Sequence, residues 1–121
     1  MFTQEEKAKQ DADFLVIILK NAHFYDNAPD ESEQKIAYNL GENKREKILE
    51  LIEKIHESQK NEPCSLKFFE YFIHLMEFGE NMGSYAPGTC EKIAHEMDND
   101  LRTNVLQIIK KIRDFNPYHI I

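Results

Sequence analysis

The sequence predicts an all-α fold, a single domain built as an antiparallel, up-down-up-down four-helix bundle. Three observations lead there. Apolar residues recur at spacings of three and four, and no stretch keeps the period of two that a half-buried strand needs. Three internal prolines, Pro29, Pro63 and Pro87, cut the chain into four segments, and proline is accepted before or in a first helical turn but not inside a helix. The links between segments are short, which makes consecutive helices antiparallel neighbours. At 121 residues the chain has the length of one domain, 1–121, and can bury a core of its own.

The first helix is expected over residues 3–24. Thr3 with Glu6 three positions later forms a capping box, and Ala8, Ala12, Leu15, Leu19 and Ala22 make one stripe with Phe14 and Ile18 beside it. The second is expected over 31–59, opened by Asp30 with Glu33 three residues on and carrying Ile48, Leu51, Ile52 and Ile55. Gly41 is a place where it can break or bend. The third, 65–82, starts at Ser65 after Pro63 and buries Leu66, Phe69, Phe72, Ile73 and Met76. The fourth, 89–115, starts at Thr89 after Pro87 and carries Ile93, Met97, Leu101, Val105, Ile108 and Ile112. No repeat of solenoid type is apparent.

Composition narrows the function. Fifteen basic against 22 acidic residues give a net charge of −7, a field that repels phosphates and speaks against nonspecific binding to nucleic acid or an anionic membrane. It suits a cation or a protein partner with a basic surface. The longest apolar run, Phe14 to Leu19, is far short of the ~20 residues that cross a bilayer, and Met1-Phe2-Thr3-Gln4-Glu5-Glu6 lacks the basic start of a secretory signal. A cytoplasmic location is therefore expected. Cys64 and Cys90 form no CxxC motif and are expected to be reduced structural thiols, with a disulfide as the alternative.

Several ionisable residues fall on or beside the apolar stripes. Asp11 lies among Ala8, Ala12, Leu15 and Ile18, so a regular helix aims it inward, where a carboxylate needs a partner; a solvated first turn is the other reading. Glu70, His74 and Glu77 share one side of helix three, and Glu91, His95 and Asp98 repeat that spacing on helix four. Glu53-x-x-His56 adds a pair on helix two. Acid–His pairs at three or four positions on facing helices are how bundles recruit Fe, Mn or Zn. In so acidic a chain the same pairs also arise by chance on solvated faces.

Two stretches resemble a bacterial family of uncharacterised ferritin-like proteins. Asp11-Ala12-Asp13-Phe14-Leu15-Val16-Ile17-Ile18 is similar to its first helix, an acid followed by aromatic and aliphatic residues. Phe68-Phe69-x-x-Phe72-Ile73-His74-Leu75-Met76, then Pro87-x-Thr89 and His95, is similar to its third and fourth helices. The resemblance implies a ferritin-like bundle with a divalent metal, and it puts Asp11, His74 and His95 on the polar core positions. Glu53, Glu70, Glu77 and Asp98 are the supporting carboxylates in this reading. The chain departs from the family at Asn21-Ala22, where an acid–His pair is expected, and has one four-helix unit where the family has two. The departures favour a mononuclear or vestigial site.

Two other functions compete. Glu50-x-x-Glu53 and Glu77-x-x-Glu80 resemble the paired acids with which the MazG-like nucleotide pyrophosphohydrolases hold Mg²⁺, although Gly79 interrupts the second pair. A non-enzymatic acidic immunity, adaptor or inhibitor module is the other, with Phe24-Tyr25 and Tyr118-His119-Ile120-Ile121 as candidate contact patches. No GxSxG or phosphate-binding glycine loop is present.

Overall fold

The computed structural model describes residues 3–115. Among them are six α-helices and no strand: α1 (Gln4–Asn21), α2 (Glu33–Leu40), α3 (Glu42–Ser58), α4 (Ser65–Phe78), α5 (Cys90–Glu96) and α6 (Asn99–Phe115). Two 3-10 turns, Ala22–Phe24 and Gly79–Asn81, extend α1 and α4.

Two of the expected helices are each split in two. Gly41 sits at φ +87°, a backbone conformation that costs an L side chain about 1–2 kcal/mol, and there α2 ends and α3 begins. The second break, at Met97 and Asp98, lies inside the expected 89–115 helix. Met97 has extended backbone, ψ 143°, and the Asp98 carboxylate accepts from Leu101 N at 2.7 Å to start α6. Its sequence signal was masked because Ile93, Met97, Leu101 and Val105 keep an unbroken spacing of four across the gap.

The helix starts follow capping chemistry. Thr3 and Glu6 form the expected box, each accepting from the other's backbone N–H at 3.1 Å. Ser32, rather than Asp30, caps α2, and Thr89 caps α5. At α4 the expected Ser65 cap is replaced by a side chain from another helix. The Glu5 carboxylate of α1 accepts from Ser65 N at 2.6 Å, Leu66 N at 3.0 Å and Cys64 Sγ at 3.2 Å. Partial burial works against the charge there, but these hydrogen bonds outweigh it and hold the Glu5 carboxyl below its ordinary value.

The second half of the chain repeats the structure of the first. A constant shift of 57 positions carries the first half onto the second, Ala22 onto Gly79 and Arg45 onto Arg102. The hydrogen bonds repeat with it. Tyr25 N donates to Ala22 O, and Met82 N to Gly79 O. Lys35 Nζ reaches back to Asp26 O, and Lys92 Nζ to Gly83 O. Ser32 Oγ donates to Pro29 O, and Thr89 Oγ1 to Ala86 O. The core repeats too. Leu15 becomes Phe72, Ile48 becomes Val105, and Leu51, Ile52 and Ile55 become Ile108, Ile109 and Ile112, all buried.

Each half also carries one buried arginine, placed in the first turn of its long second helix. Arg45 Nη1 donates to Ala37 O and Tyr38 O at 3.0 Å. Arg102 Nη1 donates to Ala94 O at 2.8 Å, His95 O at 3.3 Å and Met97 O, while its Nη2 bonds Asn99 Oδ1. A cation at the carbonyl end of a short helix is favoured by the helix dipole, and here it also satisfies carbonyls that the break would leave bare.

The halves interlock. Glu5 ties the start of α1 to the start of α4, so these two packed helices run the same way. Late residues of α3 and α6 meet the early part of α4: the His56 and Phe68 rings lie 4.6 Å apart, and the Arg113 guanidinium sits 5.1 Å over the Phe69 ring. Those helices therefore run the other way. The short α2 packs on α6 of the opposite half, and α5 on α3. No helix among the described residues is long and apolar enough to cross a membrane.

Candidate functional site

The seven residues expected to hold a metal are distributed over the molecule. Asp11 is buried, as its place in the stripe implied, and its Oδ2 lies 3.9 Å from Arg113 Nε. That cation also covers Phe69, which fixes Asp11 near the early turns of α4. His74 is exposed late in α4, its ring 5.0 Å from the Phe78 ring. His95 is half-buried beyond the end of α4, where its Nδ1–H donates to Gly79 O at 3.0 Å and its ring fills the space left by Gly83. Ten residues of helical rise separate Phe69 from Gly79, about 15 Å. Asp11 and His95 therefore occupy different levels. A metal site shared by Asp11, His74 and His95 needs late α4 and early α1 at one level, whereas α1 and α4 run parallel.

The supporting acids are similarly placed. Glu53, Glu70 and Glu77 are exposed on α3 and α4. Asp98 caps α6 and pairs with Lys44 Nζ at 3.4 Å. The hydrogen bond from Leu101 N is the main reason the Asp98 carboxyl lies below its ordinary value. Glu50 and Glu80, the remaining acids of the two pyrophosphohydrolase-like pairs, are exposed as well. Among the described residues, no three His, Cys, Asp or Glu side chains come close enough together to hold a metal ion.

Neither thiol is set up as a nucleophile. Cys64 and Cys90 are free and half-buried. Cys64 donates to the Glu5 carboxylate, which already occupies the start of α4. Burial, with Glu91 beside it, pushes the Cys90 thiol up and keeps it protonated.

Two shallow grooves flank the long helices and are related by the repeat. Val16, Leu49 and Ile52 floor the one between α1 and α3, with Lys20, Glu53, His56 and Glu57 on its rim. Ile73, Leu106 and Ile109 floor its counterpart between α4 and α6, rimmed by Lys110, Arg113 and Asp114.

The opposite flank of α1 differs in kind. Phe14 is 39% exposed, Ile17 50% and Phe24 70%, and they follow one another up α1 and into its 3-10 turn. The His23 and Phe24 rings lie 4.0 Å apart, tilted at 42°, while Tyr25 packs on the core. Of the two sequence-expected patches, Phe24 is thus uncovered and Tyr25 is not; Tyr118-His119-Ile120-Ile121 lies outside the described residues. Sequence reading treated Phe14 as part of the core edge and gave Ile17 no role. Position 17, opposite the stripe in the helical period, was the available signal.

The second half supplies an internal control. Its residues at the three equivalent positions are Tyr71, His74 and Asn81. Tyr71 donates its hydroxyl to Glu91 Oε2 at 2.5 Å, and burial together with that carboxylate pushes the phenol well above its ordinary value. The same architecture therefore accommodates hydrogen-bonding or polar groups where the first half exposes Phe14, Ile17 and Phe24. The second half has exposed aromatics at other positions, Phe78 and Tyr85, and the His74 ring lies beside Phe78 as His23 lies beside Phe24. No family model matches the chain, and no curated protein or solved structure is similar to it.

Proposed function

We propose that this chain is a non-enzymatic interaction module that binds another protein through the outward flank of α1 and the turn after it. Its scaffold in this reading is an antiparallel up-down-up-down bundle of α1, α3, α4 and α6, with the short α2 and α5 as struts. The supporting observation is the internal comparison. One half exposes three large apolar side chains at positions where the other half manages the same fold with polar ones. Apolar groups left in water contribute little to the stability of the monomer, and several of them on one side of a helix suit a partner's surface.

A photoreactive phenylalanine analogue placed at Phe24, and separately at the equivalent Asn81, tests this in cells. Adducts to a discrete protein from position 24 but not from position 81 are the expected result. Equal labelling from both positions, or none from position 24, would remove this face from the account.

A further inference from the structure

The charge around the α1 face specifies what would lie on it. Residues 1–33 hold eight acids and three lysines, a net of −5 within a chain of net −7. Two of those acids are committed inside the fold, Glu5 to the start of α4 and Asp11 to Arg113. Of the other six, Glu33 is half-buried and the rest are exposed, Glu6 also accepting from Thr3 N. Glu6 and Asp13 are exposed and share a helical line with Ile17, at spacings of seven and four, while exposed Asp26 follows Phe24 at the top of the strip. Lys20 lies on the same helical line, seven after Asp13 and four before Phe24, at the rim of the groove against α3, and Lys35 Nζ sits at Asp26 O. The strip is therefore flanked by three carboxylates, with Lys20 and Lys35 as cations near them, a net negative border.

The fold also limits how a partner can bind. The described residues form helices and turns, so there is no open strand edge to offer backbone hydrogen bonds. A helix lying along α1 brings its backbone already hydrogen-bonded, so it can cover the strip without leaving buried polar groups unpaired. From Phe14 to Phe24 the strip runs about 15 Å, the length over which a helix presents apolar residues at i, i+3 or i+4, and i+7.

From these observations we infer that the partner's contact is a Lys/Arg-rich amphipathic helix, its apolar side on Phe14, Ile17 and Phe24 and its cations toward Glu6, Asp13 and Asp26. This rests on the reading of the α1 flank as the binding face. Burial of the strip supplies the affinity, and the carboxylates supply speed of encounter and choice of charge.

The test uses the whole chain, ¹⁵N-labelled, with two synthetic helical peptides of 18 residues, the length of α1. One is built from Leu and Lys and the other from Leu and Glu, with the same apolar pattern. The Leu/Lys peptide is expected to shift amide signals of residues 10–26. Its affinity should fall about tenfold or more in the variant Ile17→His with Phe24→Asn, and again when salt is raised tenfold. The variant's signal dispersion reports that it stays folded.

If the Leu/Glu peptide binds this face equally well, or salt has no effect, the inference of a basic partner fails and the binding face survives. If neither peptide shifts residues 10–26, or shifts appear elsewhere only, both readings fail. Zwitterionic lipid vesicles form the last arm. Stronger perturbation of the same amides by vesicles than by the Leu/Lys peptide would make the strip a lipid contact and overturn the helix partner.

Discussion

Truncating Phe72 to Ala is expected to cost about 3–5 kcal/mol, the largest single loss in the protein. Phe72 is fully buried in α4, stacked on Phe68 with ring centroids 5.6 Å apart, and Phe68 in turn meets Phe69 edge-on at 5.2 Å and His56 at 4.6 Å. Removing one ring opens a cavity that its neighbours on rigid helices close only in part. The repeat supplies a graded control, because the first half holds Leu15 at the equivalent position, also fully buried. Phe72→Leu should cost clearly less, about 1–2 kcal/mol, since most of the apolar volume remains. Urea unfolding of the two variants checks the order. Equal losses would mean that the aromatic cluster, and not filled volume, is what matters there.

Replacing Arg102 by Ala should cost about 2–4 kcal/mol. Its guanidinium bonds the carbonyls of Ala94, His95 and Met97, and two of those contacts are buried. Without it, carbonyl groups at the α5–α6 break lose their donors in a place that water reaches poorly. Arg45, bonded to two carbonyls at the glycine break, should cost less when replaced. Lysine should rescue position 102 only in part: an ammonium has donors for the carbonyls that Nη1 serves, but nothing in place of the Nη2 bond to Asn99 Oδ1. Thermal unfolding of Arg102→Ala, Arg102→Lys and Arg45→Ala measures this. A neutral Arg102→Ala would show that the buried cation does not hold the break together.

The helical class was legible because every segment carries a stripe of period 3.6. Ala8, Ala12, Leu15, Leu19 and Ala22 are buried as the stripe requires, and Asp11 with them. The Gly41 break was visible in one residue. The repeat was harder to see. Its longest identical stretch is three residues, Lys35-Ile36-Ala37 against Lys92-Ile93-Ala94, and the prolines lie one place out of register, Pro29 matching Ala86. The repeat is conserved in hydrogen bonds and buried volume, which many residues can supply. The expected metal site failed on direction. Spacing put His74 and His95 on plausible faces, but the up-down-up-down order already makes the first and third helices parallel, which sets early α1 level with early α4 and away from His74 and His95; Glu5 on Ser65 and Leu66 shows that direction. A buried Asp11 was correctly aimed inward, and its partner came from Arg113, over 100 positions away.

The central claim is that Phe14, Ile17 and Phe24 are apolar for a partner and not for the fold. It is tested by giving the first half the side chains of the second: Phe14→Tyr, Ile17→His and Phe24→Asn in one chain, measured by equilibrium urea unfolding. The account predicts a stability within about 0.5 kcal/mol of the parent, the range of ordinary surface substitutions. A loss of about 2 kcal/mol or more would contradict it, by showing that these three side chains belong to the core of the protein.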